Sequence, residues 1–181
     1  MVLFVTGASS DIGMALIRSV ADRYDRIVAH YRTMSEPFGA LCQALDGKML
    51  AVQADLADRS AIDRMIKTIC EMDLPPDHMV HLAAAPFVHT HFRKLSVETA
   101  ERSMQIGCYA LWQLSGAFVP KMAKKETGKL VVMLSGSVVH TPPYCSEYVV
   151  TKYAMLGLVK ALAAEYSGSG VEINAVSPGH V

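Results

Sequence analysis

The amino-acid sequence predicts an α/β protein in which helices cover both faces of a parallel β-sheet. Six apolar segments of strand length alternate with five longer segments of helical periodicity along the whole chain. The apolar segments are nearly continuous, as expected of parallel strands buried on both faces, and the connections are short. Right-handed βαβ units joined in this way build a doubly wound, three-layer α/β/α sheet.

Each element is predicted from its own pattern. Apolar runs predict strands at residues 2–5, 26–30, 49–53, 79–83, 130–134 and 171–176. Helical periodicity predicts helices at residues 12–24, 36–45, 60–70, 97–125 and 147–166. Ser96 is the expected N-cap of the fourth helix, with Glu98 in its first turn. Gly47, Gly128 and residues 167–170 follow predicted helix ends, where we expect positive φ angles.

The composition limits the class of protein. The 181 residues suffice for one domain with a sizeable core, and 51% of them are hydrophobic. Seventeen Lys and Arg residues balance seventeen Asp and Glu residues, which argues against a nucleic-acid-binding protein. The apolar segment at the N-terminus is too short for a signal peptide or a membrane span, so no membrane partner is expected.

Cysteines and histidines give no sign of a metal or redox centre. The four cysteines lie far apart without a C-x-x-C pair, and they are interpreted as reduced thiols of a cytoplasmic protein. His89 and His91 are close in sequence but have no acidic or cysteine neighbour. No metal site is therefore predicted.

A glycine-containing turn follows the first predicted strand. Gly7 allows the chain to turn sharply, and Gly13 allows the next helix to approach closely. Four further residues of the turn and the helix start are candidate ligands of a pyrophosphate: Ser9, Ser10, Asp11 and Ile12. The Asp11 carboxylate is compatible with phosphate only if its side chain turns away, for example to cap the helix. This junction is the predicted binding site of a dinucleotide.

The end of the second predicted strand bears on the choice of cofactor. A site for NAD(H) usually has an acidic residue here for the ribose 2′-hydroxyl. This sequence has Tyr31 instead, followed by Arg32, whose guanidinium can pair with a 2′-phosphate. The alternative is that Arg32 is an ordinary surface arginine. NADP(H) is the preferred cofactor in this interpretation, and NAD(H) is the alternative.

Of the seven tyrosines, Tyr148 alone has a lysine four residues later. In a helix that spacing places Tyr148 and Lys152 on one face. An ammonium group beside a phenol, aided by the charge of an oxidised nicotinamide, stabilises the phenolate form. The pair is therefore suited to exchange a proton with an alcohol or carbonyl oxygen during a redox reaction.

In their order along the chain, these motifs resemble those of the short-chain dehydrogenase/reductase family. Residues 6–13 are similar to T-G-x-x-x-G-x-G, Tyr148 and Lys152 match Y-x-x-x-K, and residues 174–179 match N-x-x-x-P-G. The resemblance covers essentially the whole chain. It implies a Rossmann fold with strand order 3-2-1-4-5-6.

The resemblance also assigns roles to other residues. The family's remaining cofactor-contacting positions fall on Asp55 and Leu56 after the third strand, Ala83 and Ala84 after the fourth, and Pro178 and Gly179 after the sixth. Ser135, thirteen residues before Tyr148, resembles the serine that holds the substrate carbonyl. Ser137 is the competing candidate if the intervening loop is two residues shorter than in the family.

Three positions depart from the family pattern. Asp11 replaces the middle glycine of the turn, and His81 stands in the segment where the family reads Asn-Asn-Ala-Gly. The bracing role of that asparagine is either lost or taken by His81. Gly107 stands where the family has an asparagine that holds a water behind the lysine. Either water fills the space of the missing side chain, or Gln105 or Cys108 substitutes, or activity is reduced.

The implied activity is NADP(H)-dependent reduction of a ketone, or the reverse oxidation of a secondary alcohol. By analogy, the small-molecule substrate would be of the kind used by a 3-oxoacyl-[acyl-carrier-protein] reductase. The alternative is a regulatory or scaffold protein that binds the cofactor with little or no turnover. Epimerisation or dehydration is a weaker third alternative.

Two expectations concern the whole chain. Residues 1–181 are expected to form one Rossmann domain without the substrate-covering lid and seventh strand that usually follow in the family. A homodimer or homotetramer through paired helices is expected because the fourth and fifth helices carry more apolar residues than one sheet face needs. The alternative is that these side chains are buried within the monomer. They are Leu111, Trp112, Leu114, Phe118, Met155, Leu158 and Leu162.

Overall fold

A computed structural model describes residues 1–179. It contains a six-stranded sheet in the order β3-β2-β1-β4-β5-β6, with all neighbouring strands parallel. The strands are β1 (Val2–Thr6), β2 (Arg26–Tyr31), β3 (Met49–Gln53), β4 (His78–His81), β5 (Gly128–Met133) and β6 (Val171–Val176). The predicted fold class and strand order are confirmed.

Helices connect the strands, and polar side chains cap four of them. The helices are α1 (Asp11–Val20), α2 (Glu36–Ala44), α3 (Arg59–Glu71), α4 (Val97–Met104), α5 (Ala110–Lys124) and α6 (Ser146–Glu165). Ser10, Ser35, Asp58 and Ser96 accept backbone N–H groups at the starts of α1, α2, α3 and α4. The predicted cap at Ser96 is confirmed.

The fourth predicted helix is not one regular helix. A π-helical segment at Gln105–Tyr109 separates α4 from α5. Gly107 lies at the centre of this segment and packs against α6. The prediction of one helix over residues 97–125 was wrong here, because the periodicity of apolar residues does not reveal a single π turn.

Two further predictions need correction. Gly128 does not adopt the positive φ expected after a helix; Glu126 does, with φ 54°. A Cβ on Gly128 would lie 2.6 Å from Cβ of Met122, so close packing is what requires glycine there. β4 ends at His81 rather than at Ala83, because the chain turns towards the β1–α1 junction.

Hydrophobic clusters on the two faces of the sheet hold the layers together. On one face the rings of Phe4 and Phe118 meet edge to face, with centroids 5.8 Å apart. On the other face Ile17, Ile27 and Phe38 are fully buried. Because all strands run parallel, their carboxyl ends lie along one edge, where α/β proteins bind ligands. No helix within residues 1–179 is long and apolar enough to cross a membrane.

Candidate active site

The turn between β1 and α1 is built for close approach to a ligand. Gly7 has φ 68°, and a Cβ on it would lie 3.0 Å from the backbone nitrogen of Ala83. A Cβ on Gly13 would lie 2.6 Å from the Gly7 carbonyl oxygen. Only glycine therefore fits at either position. The first-turn N–H groups of Asp11 and Ile12 have no acceptor within their own helix and can bind an anion.

Ser10, rather than Asp11, caps helix α1. The Ser10 hydroxyl donates to the Gly7 carbonyl at 2.8 Å and accepts the N–H of Gly13 at 3.1 Å. Its hydrogen-bonding capacity is thus used largely inside the turn. Asp11 is the first helical residue and is exposed, so its carboxylate is free to point into solvent while it interacts favourably with the helix dipole.

A buried histidine supports this turn from β2. The Gly7 N–H donates to Nδ1 of His30 at 3.1 Å, and the other ring nitrogen lies 3.1 Å from the Ala54 carbonyl. Because a carbonyl only accepts, Nε2 must carry the proton. Burial lowers the pKa of His30, which keeps the ring neutral.

A second buried histidine links the turn to the π-helical segment. Nδ1 of His81 is 2.9 Å from the Thr6 hydroxyl, and Nε2 is 3.1 Å from the Gly107 carbonyl. The same hydroxyl accepts the N–H groups of Leu82 and Ala83. Burial, reinforced by the nearby charge of Lys152, lowers the pKa of His81 to about 3. His81 therefore braces the sheet edge as a neutral ring, in the region where the family has asparagine.

Sequence reasoning did not identify His30, and it named His81 only as one of two alternatives. The available signal was an imidazole within an otherwise apolar buried strand, near its carboxyl end. A group of that kind needs hydrogen-bond partners when it is buried.

The predicted cofactor residues divide among neighbouring regions. One cleft of about 400 Å³ brings together Gly7, Ser9, Ser10, Arg32, Ala83 and Ala84, with His30 and Ile106. Arg32 also borders an adjoining depression that contains Asp55. Tyr31 instead packs its ring against Phe38, with centroids 5.3 Å apart. Leu56 is buried in the core.

Tyr148 and Lys152 occupy successive turns of α6, as their spacing predicts. The Lys152 ammonium lies 5.6 Å from the centre of the Tyr148 ring and donates to the Met133 carbonyl at 2.7 Å. Only 4% of Lys152 is exposed, and burial lowers its pKa to about 8. The lysine is thus poised to lose or gain a proton near neutral pH.

A larger cleft of about 970 Å³ opens beside Tyr148. Both candidate serines border it, together with Pro178 and Gly179 from the chain after β6. The Ser135 hydroxyl accepts the N–H of Ser137 at 3.1 Å. The Ser137 hydroxyl is buried and has no hydrogen-bond partner within residues 1–179.

Two loops meet at the mouth of this cleft. Phe87 packs edge to face on Tyr148, with ring centroids 5.3 Å apart. The rings of His89 and His91 both meet the Tyr144 ring edge to face, and the Thr90 N–H donates to the Tyr144 carbonyl at 2.7 Å. These contacts join the loop after β4 to the loop before α6. Within the described residues, no group of three or more His, Cys, Asp or Glu side chains is arranged to hold a metal ion.

Comparison with known proteins agrees with this geometry. The family model for short chain dehydrogenase matches residues 1–181. Oxidoreductase UcpA of Salmonella typhimurium is 30% identical over 98% of this chain and 68% of its own length. The 3-oxoacyl-[acyl-carrier-protein] reductase of Synechocystis is 26% identical over 99% of this chain and 74% of its own length.

Solved structures support the fold. A 4-hydroxyisoleucine dehydrogenase complexed with NADH and succinate superposes with a TM-score of 0.84 at 24% identity, covering 98% of this chain and 78% of the other. The Rossmann fold and the match to this family model define an oxidoreductase. The chain belongs to the short-chain dehydrogenase/reductase family.

Proposed function

We propose that this protein reduces a ketone to a secondary alcohol, with NADP(H) preferred over NAD(H). The observation that carries the proposal is the pair formed by Tyr148 and Lys152. Tyr148 lines the cleft that contains Ser135, and the small cavity lined by both residues of the pair shares Ala84 and Pro86 with the Gly7 cleft. The glycine-lined turn and the open cleft of about 400 Å³ fit a dinucleotide. The exposed side chain of Arg32, and the presence of Tyr31 rather than an acidic residue at the end of β2, support the choice of NADP(H).

Reduction of a ketone needs a hydride at carbon and a proton at oxygen. When bound, the cofactor supplies the hydride. Tyr148 donates its hydroxyl proton to the substrate oxygen, and the ammonium of Lys152 stabilises the phenolate and returns a proton to it. Ser135 hydrogen-bonds the carbonyl oxygen and holds it beside Tyr148. The backbone at Pro178 and Gly179 forms the floor of this cleft.

The substrate class that we propose is a 3-oxoacyl thioester or a related ketone. A cleft of about 970 Å³ with Phe87, Val139 and Pro142 among its walls can hold an apolar chain. The similarity to a 3-oxoacyl-[acyl-carrier-protein] reductase supports the same class. The four free cysteines support our proposal of a cytoplasmic location.

We propose that the protein also pairs with a second copy of itself. Five of the seven apolar side chains cited for this expectation are buried within the monomer, so they do not support it. Of the other two, Leu162 is half-buried and Trp112 is 63% exposed. Val150 and Tyr153, which were not among the seven, are also exposed on α6. These three exposed residues, with the open positions Gly116 and Gly157, form what we call the α5/α6 face.

The activity is tested by following NADPH oxidation with a panel of ketones that includes a 3-oxoacyl thioester. We expect Tyr148→Phe to lower kcat by about 10²–10⁴-fold with an unchanged Kd for NADPH.

Ser135→Ala should lower kcat by about 10²–10³-fold, and Ser137→Ala much less. The reverse order would assign the carbonyl-holding role to Ser137. If the protein binds NADPH tightly without turnover and Tyr148→Phe has no effect, the protein is instead a cofactor-binding regulatory or scaffold protein.

A further inference from the structure

Glu147 is a buried carboxylic acid that the mechanism above does not use. It directly precedes Tyr148 in the first turn of α6, and only 3% of it is exposed. Its Oε2 atom has no hydrogen-bond partner within residues 1–179. Burying a carboxyl oxygen without a partner is costly, so this position needs a physical reason.

The reason lies in a small cavity shared by Glu147, Tyr148 and Lys152. Its volume of about 10 Å³ gives room for about one water molecule. The other walls are the loop after β4, the α4–π junction and α6 itself: Ala84, Ala85, Pro86, Ser103, Gly107, Thr151 and Met155. None of these seven side chains is ionisable.

The packing of Gly107 excludes a larger side chain from this wall. A Cβ on Gly107 would lie 2.6 Å from Cγ2 of Thr151 and 3.3 Å from the sulfur of Met155. The Thr151 hydroxyl donates to the Glu147 carbonyl at 2.8 Å, which fixes the direction of that methyl group. An asparagine at position 107 would therefore displace the Thr151 side chain, and a water behind Lys152 would need another polar partner.

We propose that Glu147 is this polar partner: a positioning residue that binds one water in the cavity and exchanges protons with Lys152 through it. Lys152 has three N–H donors, and the Met133 carbonyl occupies one of them. The remaining donors are available to the cavity that Lys152 and Tyr148 both line. The inference rests on the proposed reductase function and extends it to the path of the proton.

The proton transfers balance as follows for ketone reduction. Tyr148 gives its O–H proton to the substrate oxygen, and the Lys152 ammonium gives a proton to the phenolate. The Glu147 carboxylate takes a proton from solvent and passes it through the bound water to the resulting amine, which becomes an ammonium again. Glu147 returns to a carboxylate, so that these transfers consume one proton per turnover and change only O–H and N–H bonds.

Few other titratable groups face this pair. Cys145, at the start of α6, is buried, and its burial and then the charge of Glu147 raise the pKa of its thiol. His81 from β4 faces Lys152 as a neutral ring. The loop after β4 and the α4–π junction contribute no charged group to the cavity. Lys152 is therefore the one basic partner available to Glu147 there among the described residues.

The first test measures Lys152 in the cofactor-free protein. Lysine labelled with ¹³C at Cε is titrated by NMR, and the Lys152 signal is assigned with Lys152→Met. We expect Glu147→Gln to lower the apparent pKa of Lys152 by about one unit, because the proposed link places a carboxylate one water molecule away from the ammonium. Glu165→Gln, an exposed carboxylate on the same helix, should leave it unchanged. An unchanged Lys152 pKa in Glu147→Gln overturns the inference, whether or not the protein turns over.

The second test measures catalysis. We expect Glu147→Gln to lower kcat for ketone reduction by about tenfold and to change the pH profile of kcat, with an unchanged Kd for NADPH and an unchanged Tm. Glu147→Asp keeps a carboxylate and should restore part of the rate. A kcat profile identical to wild type overturns the relay. If the wild type reduces no ketone while the Lys152 shift is observed, the reductase proposal fails and the link between Glu147 and Lys152 stands.

Discussion

At the carboxyl edge of the sheet, the ammonium group of Lys152 is almost completely removed from water. Its pKa is about 8 in the folded protein against an ordinary value of 10.5. Between these two values the unfolded chain binds a proton that the folded chain does not. Stability therefore rises as pH increases from about 8 to 10.5, and below pH 8 the folded state carries the full penalty of the buried charge.

Replacing this lysine should accordingly stabilise the protein and abolish its proton transfer. The shift in pKa corresponds to about 3 kcal/mol, from which about 1 kcal/mol is subtracted for the hydrogen bond lost at the Met133 carbonyl. We expect Lys152→Met to raise Tm by several degrees at pH 7 and by much less at pH 10. Thermal denaturation at both pH values measures this. Lys160→Met, exposed on the same helix, is the control, and an equal gain at both pH values would contradict the argument.

Arg32 should determine the choice between the two cofactors. If its guanidinium binds a 2′-phosphate, Arg32→Ala removes a charge-assisted interaction worth about 1.5–3 kcal/mol. We expect the Kd of NADPH to rise by at least about tenfold while the Kd of NADH changes little. Fluorescence titration with both cofactors measures this, with the remote exposed Arg23→Ala as control. An equal loss for both cofactors would mean that Arg32 binds a group that they share, and no loss for either would make Arg32 an ordinary surface arginine.

At the scale of secondary-structure elements, the contact between the π-helical segment and α6 controls the geometry behind Lys152. Gly107 and Thr151 lie so close together that a larger side chain fits at neither position. The Gly107 carbonyl also accepts from His81, so the segment is held from two sides. A π turn widens the helix locally, and such turns are frequent at functional sites.

This contact predicts strong coupling between two substitutions. Gly107→Ala improves helix propensity, but its methyl group would overlap Cγ2 of Thr151, so we expect a net destabilisation of about 1–3 kcal/mol. Thr151→Ser removes that methyl group, and the double variant should recover most of the loss. Urea denaturation of both single variants and the double variant gives the coupling energy. Additive effects would show that the two residues do not press on each other.

At the scale of the whole molecule, the α5/α6 face carries three exposed apolar side chains. Trp112 lies one turn before Gly116 on α5, and Val150 and Tyr153 lie seven and four residues before Gly157 on α6. The two glycines leave room for a second helix pair. A second copy of this chain presents the same face, as a two-fold symmetric dimer requires.

We expect light scattering to give a multiple of the 19.6 kDa chain mass for the wild type. Trp112→Asp should shift the mass to that of a monomer, because a charge in an apolar interface is not compensated. Phe92→Asp, which places the same charge on another exposed ring, should leave the assembly unchanged. A monomeric wild type would disprove the proposed pairing.

The sequence by itself determined the parallel sheet and the positions of the main motifs, and the strand order followed from the resemblance of those motifs to the family. These features depend on local patterns, namely apolar runs, capping residues and the four-residue spacing of Tyr148 and Lys152. The predicted assignments of individual site residues, including Ser135 and Arg32, remain predictions that the proposed variants test.

Only the tertiary structure decided how the edge of the sheet is braced. His81 joins Thr6, 75 residues away, to Gly107, 26 residues away, and the packing of Gly107 depends on Thr151. The burial of Glu147 likewise follows from contacts among the β4 loop, α4 and α6. Such contacts join residues far apart in the chain, and periodicity within one segment carries no information about which distant side chain fills the space beside it.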